Sequence, residues 1–293
     1  MEKQKIVQAG EIAKKAKIYA KNIIKKDMPL LEIANLIEDK IIELGGFPAF
    51  PVNLSINEIA AHYTPSYDDK NLAKGLLKVD LGVHIDGWIA DTAFTLDLEN
   101  SEENKKLIEA SKKALEIVEK NISKEMHLSK IGKLVSETIK SLGFNPISNL
   151  SGHSLGEYDL HEGISIPNID NGSNKKIGKG AFAIEPFATS GIGRVHDGKP
   201  SGIYILVSNK NIRSPLAREI LNVIEDNFQT LPFASRWLID EFGNKALLGL
   251  KQLEQNGNLH QFNQLIESSG AKVSQAENTF LIEEDKVIIT TKD

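Results

Sequence analysis

Apolar residues recur at helical spacing in the first part of the chain and in shorter, alternating patterns after it. In residues 1–26 they return every three or four positions, with eight lysines on the remaining face. This pattern predicts an amphipathic helix rather than a basic binding surface. A second helix is predicted over 29–44, with Asp27 as its cap. Residues 47–98 then predict loops and short strands.

The second half of the chain alternates between the two patterns. Helices are predicted at 102–120 and 127–142, and strands with glycine-rich turns return over 152–207. From 215 to 269 the sequence predicts four consecutive helices, of which the fourth begins near Asn258.

Strand patterns return at the end of the sequence, on both sides of a predicted turn at 283–285. The pattern therefore predicts an α+β core formed by residues 1–208 and 272–293. A helical subdomain is predicted as an insertion into that core at 209–271.

Composition narrows the class of protein. The chain has 293 residues, ordinary globular proportions of 41% hydrophobic and 26% charged residues, and no cysteine. Disulfides, thiol nucleophiles and cysteine-ligated zinc are thereby excluded. No apolar run is long enough to span a membrane, and the N-terminal residues do not resemble a secretory signal. With a net charge of −5, we expect a cytoplasmic protein without membrane or broad nucleic-acid binding.

A hairpin carries the first candidate chemistry. Asp86-Gly87 between two alternating runs is typical of a two-residue turn. Counting outward from this turn places Gly82 opposite Asp91, so that Asp80 and Asp91 are diagonal neighbours on one sheet face. Two acidic side chains on an otherwise apolar hairpin favour a bound cation between them. The alternative is that both aspartates lie on a solvated face.

Three further segments contain candidate residues. His153 and His161 lie in a glycine-rich stretch, where one could bind a metal and the other could donate a hydrogen bond. Glu185 and Glu277 each adjoin an apolar strand and need a partner if buried. Ordinary loop or surface positions remain the alternative for each residue alone. His84 lies near the hairpin turn, and a structural role is predicted for it.

Taken together, the candidates have the composition of a metal site. Four carboxylates and one imidazole come from Asp80, Asp91, His153, Glu185 and Glu277. Two divalent cations would balance the four charges. Oxygen ligands with one nitrogen suit Co, Mn, Fe or Zn, among which the sequence does not choose.

Five separated blocks resemble one known family. "NEIAAHYTP", "DLGVHIDGWIADTA", "GHSLGEYDLHEG", "AIEPFAT" and "QAENT" are similar to blocks of the methionine aminopeptidases of the pita-bread (creatinase/aminopeptidase) fold. The resemblance spans essentially the whole chain. It implies hydrolytic removal of the initiator methionine, with the five candidate residues as ligands of two metal ions and with Asp91 and Glu277 bridging them.

The resemblance also implies roles that spacing does not give. His62 and His161 match the two histidines that contact the scissile peptide, and Glu185 matches the residue that takes and returns a proton. Asn278 departs from the commoner pattern, in which a histidine follows the bridging glutamate. Since that histidine is not a ligand, we expect no change in the metal ligands.

The resemblance further implies how methionine is held. Phe50, Leu160, Phe187 and Ile203 match the walls of an apolar methionine pocket. The alternative is that they are ordinary core residues. A small residue is expected after the methionine, because a crowded metal site leaves little room there.

The predicted insertion at 209–271 accounts for the long separation of Glu185 and Glu277 and is typical of the type II enzymes. The short N-terminal region resembles their archaeal form. Residues 209–273 contain seven basic and seven acidic residues, which does not favour RNA binding. We expect a monomer that acts on the N-terminal segments of nascent polypeptides, in transient proximity to the ribosome.

Two other functions remain open at this point. One is an X-Pro-cleaving peptidase of the same fold, similar to aminopeptidase P or prolidase, with the same five ligands. The other is a non-catalytic binding module of this fold. The presence of all five candidate ligands disfavours the second alternative.

Overall fold

Residues 2–293 are described by a computed structural model, in which they form seven helices and fifteen strands in four sheets. The helices are α1 (Glu2–Ile23), α2 (Leu30–Glu43), α3 (Glu102–Asn121), α4 (Leu128–Ser141), α5 (Pro215–Asn227), α6 (Ser235–Phe242) and α7 (Lys245–Asn256). The first strands are β1 (Phe47–Ile56), β2 (Ile59–Ala61), β3 (Leu76–Ile85), β4 (Trp88–Asp97), β5 (Asn145–Pro146), β6 (Ser151–Leu155), β7 (Ser165–Pro167) and β8 (Gly180–Ile184). The others are β9 (Phe187–Thr189), β10 (Val195–Leu206), β11 (Phe233–Ala234), β12 (Leu259–Glu267), β13 (Val273–Gln275), β14 (Asn278–Ile282) and β15 (Val287–Ile289). The predicted α+β class is confirmed.

The first two helices cover one sheet. Strands β1, β3 and β4 form an antiparallel sheet in the order β1-β3-β4, and α1 and α2 share one apolar core with it. The apolar face predicted for α1 is buried, and its alanines Ala9, Ala13, Ala16 and Ala20 are fully covered. Small side chains on that face let the helix backbone approach the sheet closely.

A second layer is formed by α3 and α4 on the five-stranded sheet β15-β14-β8-β6-β7. Both helices match their predicted ranges. The hydroxyl of Ser101 caps α3 by accepting from the backbone N–H of Asn104. Gly143, with φ 84°, follows the end of α4. The first cap fixes where α3 begins, and the second fixes where α4 ends.

Residues 209–271 contain three helices, and the predicted fourth helix is wrong. Helices α5, α6 and α7 share an apolar core that includes Phe233 and Leu259. Gly257, at φ 76°, ends α7. The chain then becomes β12, which pairs with β10 on one side and β2 on the other. Backbone pairing on both sides decided the structure of a short amphipathic segment whose sequence also fits a helix.

Two smaller predictions are also wrong. Asp27 does not cap α2: its φ is 67°, its N–H donates to Ala73 O at 2.8 Å, and Pro29 occupies the cap position without a side-chain bond. The predicted short strands of 47–98 include three that are ten residues long, β1, β3 and β4. Because these strands are buried along most of their length, few polar positions mark where each one begins and ends. No helix within 2–293 has the length and apolarity that a membrane crossing requires.

Two buried helical glycines give a matched test of the packing. A Cβ built on Gly132 of α4 would lie 2.0 Å from the backbone oxygen of Ile169, whereas one built on Gly249 of α7 would meet the flexible end of Ile220. We predict that Gly132→Ala lowers the free energy of unfolding by at least about 2 kcal/mol. Gly249→Ala should stay within about 1 kcal/mol of wild type, because alanine favours the helix.

Urea unfolding of the two variants measures both values. A Gly132→Ala protein as stable as wild type would contradict the close approach of α4 to the loop after β7.

Candidate metal centre

The β3–β4 hairpin supplies two aspartates. Asp86 (φ 47°) and Gly87 (φ 84°) form its turn in the left-handed region, as a two-residue turn of this hand requires. Gly82 pairs with Asp91, which confirms the predicted register. Asp80 and Asp91 are therefore diagonal neighbours on one face of the sheet.

Hydrogen bonds join this hairpin to the five-stranded sheet. The hydroxyl of Thr279 accepts from the N–H of Asp91 at 2.7 Å and donates to the Asp91 carbonyl at 2.8 Å. The N–H of Glu277 donates to Ala93 O at 3.0 Å. The beginning of β14 is thus attached to β4, and Glu277 lies against the hairpin.

The five-stranded sheet supplies the other three candidates. His153 lies in β6, which pairs with β8. Ile184, the last residue of β8, pairs with Asn278, the first residue of β14. Glu185 and Glu277 flank this pair, immediately after one strand and immediately before the other. Adjacent antiparallel strands therefore bring together two glutamates that are far apart in sequence.

The five predicted residues lie in one cluster. The His153 Nε2 atom is 3.8 Å from Asp91 Oδ2 and 3.8 Å from Glu185 Oε1. Asp91, His153 and Glu277 each offer one ligand atom within 4.8 Å of the others, and all three residues are buried. An ion between these atoms would be within reach of both sheets.

Gln275 completes the cluster and was not singled out from the sequence. Its side-chain Nε2 donates to Asp80 Oδ2 and to Glu185 Oε2, both at 3.2 Å. It therefore links the hairpin carboxylate to one from the second sheet. Its position in the sequence indicates that it lies on the same face as Glu277, because alternate residues of an extended segment share a face.

The carboxylates of the cluster resist ionisation in the absence of a cation. Burial raises the pKa of Asp80 to about 7. Burial, and then the neighbouring carboxylates, raise the pKa of Asp91, Glu185 and Glu277 well above the ordinary values. Burial lowers the pKa of His153 to about 3, so its imidazole is neutral at pH 7 and able to act as a ligand.

These residues fit divalent cations. Asp80 Oδ1, Asp91 Oδ1 and Glu277 Oε2 are buried without any hydrogen-bond partner. Among residues 2–293, no lysine or arginine forms an ion pair with the four carboxylates. Buried charge without a partner is unfavourable. Oxygen donors with one imidazole nitrogen suit the divalent transition metals expected from the sequence.

His62 follows β2 and is held in an uncommon conformation, with φ 62°. Its Nδ1 lies 3.2 Å from the carbonyl oxygen of Asn263. A carbonyl can only accept, so Nδ1 carries the hydrogen. Burial lowers the pKa of His62 to about 4. The neutral ring therefore has an unprotonated Nε2 that can accept a hydrogen bond.

His161 is exposed and lies next to His153. Its backbone N–H donates to Asp159 Oδ1 at 3.1 Å, and its ring centroid is 4.3 Å from that of His153. The structure thus places this second predicted histidine beside a candidate ligand.

A cavity of about 270 Å³ opens above the cluster. Its walls include the five predicted ligands, both predicted histidines and the four predicted apolar residues Phe50, Leu160, Phe187 and Ile203. Three more apolar walls, Pro232, Phe262 and Leu265, come from 209–271. The sequence did not indicate Phe262 and Leu265 as walls, because they lie in the stretch predicted as a helix; Pro232 lies between α5 and α6, where no sequence signal indicates a wall.

Two residues near the site have contacts elsewhere. His84 is buried, and its Nδ1 accepts from the N–H of Gly87 at 3.1 Å, which agrees with its predicted structural role. The amide of Asn278 accepts from Lys17 and Thr291 and donates to Glu119 Oε1 at 2.9 Å. It makes no hydrogen bond to the five candidate ligands.

Known proteins share both the sequence and the fold. A model of metallopeptidase family M24 matches residues 4–227. The chain is 47% identical over 292 residues to a methionine aminopeptidase of Methanocaldococcus jannaschii, covering 99% of this chain and 98% of that protein. A solved methionine aminopeptidase of Thermotoga maritima superposes with a TM-score of 0.72 at 23% identity, covering 99% and 96% of the two chains. A solved thermophilic Arx1 superposes with a TM-score of 0.82 at 18% identity, covering 98% and 90%. The predicted pita-bread fold is confirmed.

Metal removal should make stability depend on pH in a defined direction. The pKa of Asp80 is raised to about 7 in the folded chain but returns to about 4 on unfolding. As pH rises, this carboxyl therefore loses its proton at a lower pH in the unfolded state than in the folded state. The free energy of unfolding falls as pH rises from about 4 through 7. We predict that the chelated protein loses at least about 2 kcal/mol between pH 5 and pH 7.5.

Thermal unfolding in EDTA and in Mn²⁺ or Co²⁺ measures this effect. Saturating metal should abolish the loss, because bound cations stabilise the ionised carboxylates. Asp91→Asn should weaken both the loss of stability with rising pH and its reversal by metal. Asp285→Asn, in an exposed turn, is the control and should behave like wild type. Identical melting curves with and without metal would contradict the assignment.

Proposed function

Because the chain belongs to metallopeptidase family M24 and, within it, to the methionine aminopeptidases, we propose that it excises initiator methionine by hydrolysis at two divalent cations. The relatives are named methionine aminopeptidases, and this name denotes the removal of N-terminal methionine. The observation that carries the proposal is that four carboxylates and one neutral imidazole line the same cavity as the apolar side chains, with Asp91, His153 and Glu277 buried together.

Five residues would hold the cations. These would be Asp80, Asp91, His153, Glu185 and Glu277, the residues that the family resemblance implies. The unpaired oxygens of Asp80, Asp91 and Glu277 support this assignment. Bound cations supply Lewis acidity, which eases the deprotonation of water near neutral pH and offsets charge on the scissile carbonyl.

Glu185 would carry the proton between water and the leaving amine. One of its oxygens, Oε2, accepts from Gln275 at 3.2 Å, which fixes the orientation of the carboxylate. The other, Oε1, faces His153 at 3.8 Å. A carboxylate held at the cleft in this way can take a proton from water and return it to the new amino group.

The two histidines would have different roles. Since Nδ1 of His62 donates to Asn263 O, its Nε2 is left to accept from the N–H of the scissile amide. His161 would then donate to the oxygen on which negative charge develops. The tautomer of His62 thus supports a division of roles that the sequence did not assign.

The apolar cavity would accept the methionine side chain. Phe50, Leu160, Phe187 and Ile203 form part of its wall, and its volume of about 270 Å³ suits a single unbranched side chain. The residue after methionine would lie beside the metal ligands, where little room remains. A small second residue is therefore preferred.

The inserted stretch 209–271 would mark the enzyme as type II, with residues 1–208 and 272–293 as the catalytic domain. The separate apolar core of α5, α6 and α7 supports this division. We place the enzyme in the cytoplasm as a monomer, near the ribosome, because its substrates are the N-terminal segments of nascent polypeptides.

The X-Pro-cleaving alternative is not favoured, because a relative that is 47% identical over 99% of this chain is named a methionine aminopeptidase. The non-catalytic alternative is disfavoured by the presence of all five candidate ligands in one cluster.

Three peptides test the proposal. We predict that Met-Ala-Ser is cleaved with a kcat/KM at least about a hundredfold above that of Met-Lys-Ser, because lysine does not fit beside the ligands. Ala-Pro-Ala should be cleaved more slowly still. Release of the free N-terminal amino acid measures all three rates in the presence of Mn²⁺ or Co²⁺. Equal rates for the two methionine peptides would refute the small-residue preference, and faster cleavage of Ala-Pro-Ala would favour the alternative activity.

A further inference from the structure

A buried ion pair lies outside the metal cluster and joins the inserted helices to the core. Arg236 of α6 and Glu38 of α2 are only 3% and 6% exposed. A guanidinium nitrogen, Nη2, donates to Glu38 Oε1, which also accepts from the N–H of Val52 at 3.0 Å. The indole N–H of Trp237 donates to Glu38 Oε2 at 2.8 Å. Every oxygen of this buried carboxylate therefore has a partner, and the guanidinium is fixed.

The other guanidinium nitrogen reaches the segment that carries His62. Nη1 of Arg236 donates to Thr64 Oγ1 at 2.7 Å and to Pro65 O at 3.3 Å. The Thr64 hydroxyl in turn donates to Val52 O at 2.9 Å. Arg236 thus contacts Thr64 and Pro65, two and three positions after His62. Its planar guanidinium donates to Glu38 through one nitrogen and to this segment through the other.

His62 needs such support because of its conformation. A non-glycine residue at φ 62° is strained and is held there only by its surroundings. Asn263 in β12 accepts from the ring, and Phe262 packs edge-on against it at 5.5 Å. The inserted stretch therefore contacts the ring through β12 and the following backbone through α6.

From these contacts we infer that Arg236 is a positioning residue: through Thr64 it sets the orientation of His62, so the inserted helices control turnover as well as packing. This inference rests on the proposed function, in which His62 accepts from the scissile amide. A small displacement of such a group reduces the rate strongly, because the hydrogen bond must align with the reacting amide.

A pair of substitutions at Thr64 tests the inference. Thr64→Val keeps the shape but removes the hydroxyl that accepts from Arg236, whereas Thr64→Ser retains it. We expect Thr64→Val to lower kcat for Met-Ala-Ser by at least about tenfold with a smaller change in KM, and Thr64→Ser to stay near wild type. Arg236→Lys should behave like Thr64→Val, because an ammonium cannot serve both partners.

The ring of His62 supplies a readout that does not need activity. In ¹⁵N-labelled protein, the Nδ1–H bonded to Asn263 should give a resonance that Thr64→Val shifts or broadens and Thr64→Ser preserves. Ser101→Ala, which removes the side-chain cap of α3, is the control for lowered stability and should leave both kcat and the resonance unchanged.

Normal kcat and an unchanged His62 resonance in Thr64→Val and Arg236→Lys, even with lower melting temperatures, would show a merely structural role and overturn the inference. If wild-type protein did not cleave Met-Ala-Ser, the proposed function would fail, and the resonance would still decide whether Arg236 positions His62.

Discussion

Repulsion among four clustered carboxylates, two of them buried and two partly buried, is the interaction on which the rest of the structure depends. Asp80, Asp91, Glu185 and Glu277 come from two sheets to one cluster, and burial raises the pKa of each. Within 2–293, the only side-chain hydrogen-bond donor to them is Gln275. A fold that concentrates negative charge in this way is stable when divalent cations are present. The neutral His153 beside the carboxylates adds the nitrogen donor that transition metals favour.

The scaffold holds these charges together by joining rigid elements directly. Thr279 and the backbone of Glu277 attach β14 to β4, so the two sheets cannot separate without breaking buried hydrogen bonds. The inserted stretch contacts the segment that carries His62. Arg236 donates to Thr64, and Asn263 O accepts from the His62 ring. The candidate metal ligands and the histidine proposed to contact the peptide are thus positioned by different parts of the chain.

Local signals in the sequence predicted local structure well. The Asp86-Gly87 turn was sufficient to place Asp80 and Asp91 on one face, because a two-residue turn determines the register of both strands. No local signal could bring Glu185 next to Glu277, since their proximity depends on the pairing of β8 with β14. The family resemblance supplied that link.

Neither the local signals nor the resemblance predicted the Glu38–Arg236 pair, because a buried ion pair between distant helices has no pattern in sequence. The sequence of 259–267 also fits a helix, and its strand structure depends on pairing with β10 and β2.

The central claim is that the carboxylate cluster binds two divalent cations. Anomalous diffraction from crystals grown with Mn²⁺ tests it most directly, because the peaks locate the ions and count them. The account predicts two peaks, both in contact with Asp91 and Glu277, with His153 ligating one of them. A single peak, or none within reach of these side chains at saturating Mn²⁺, would contradict it.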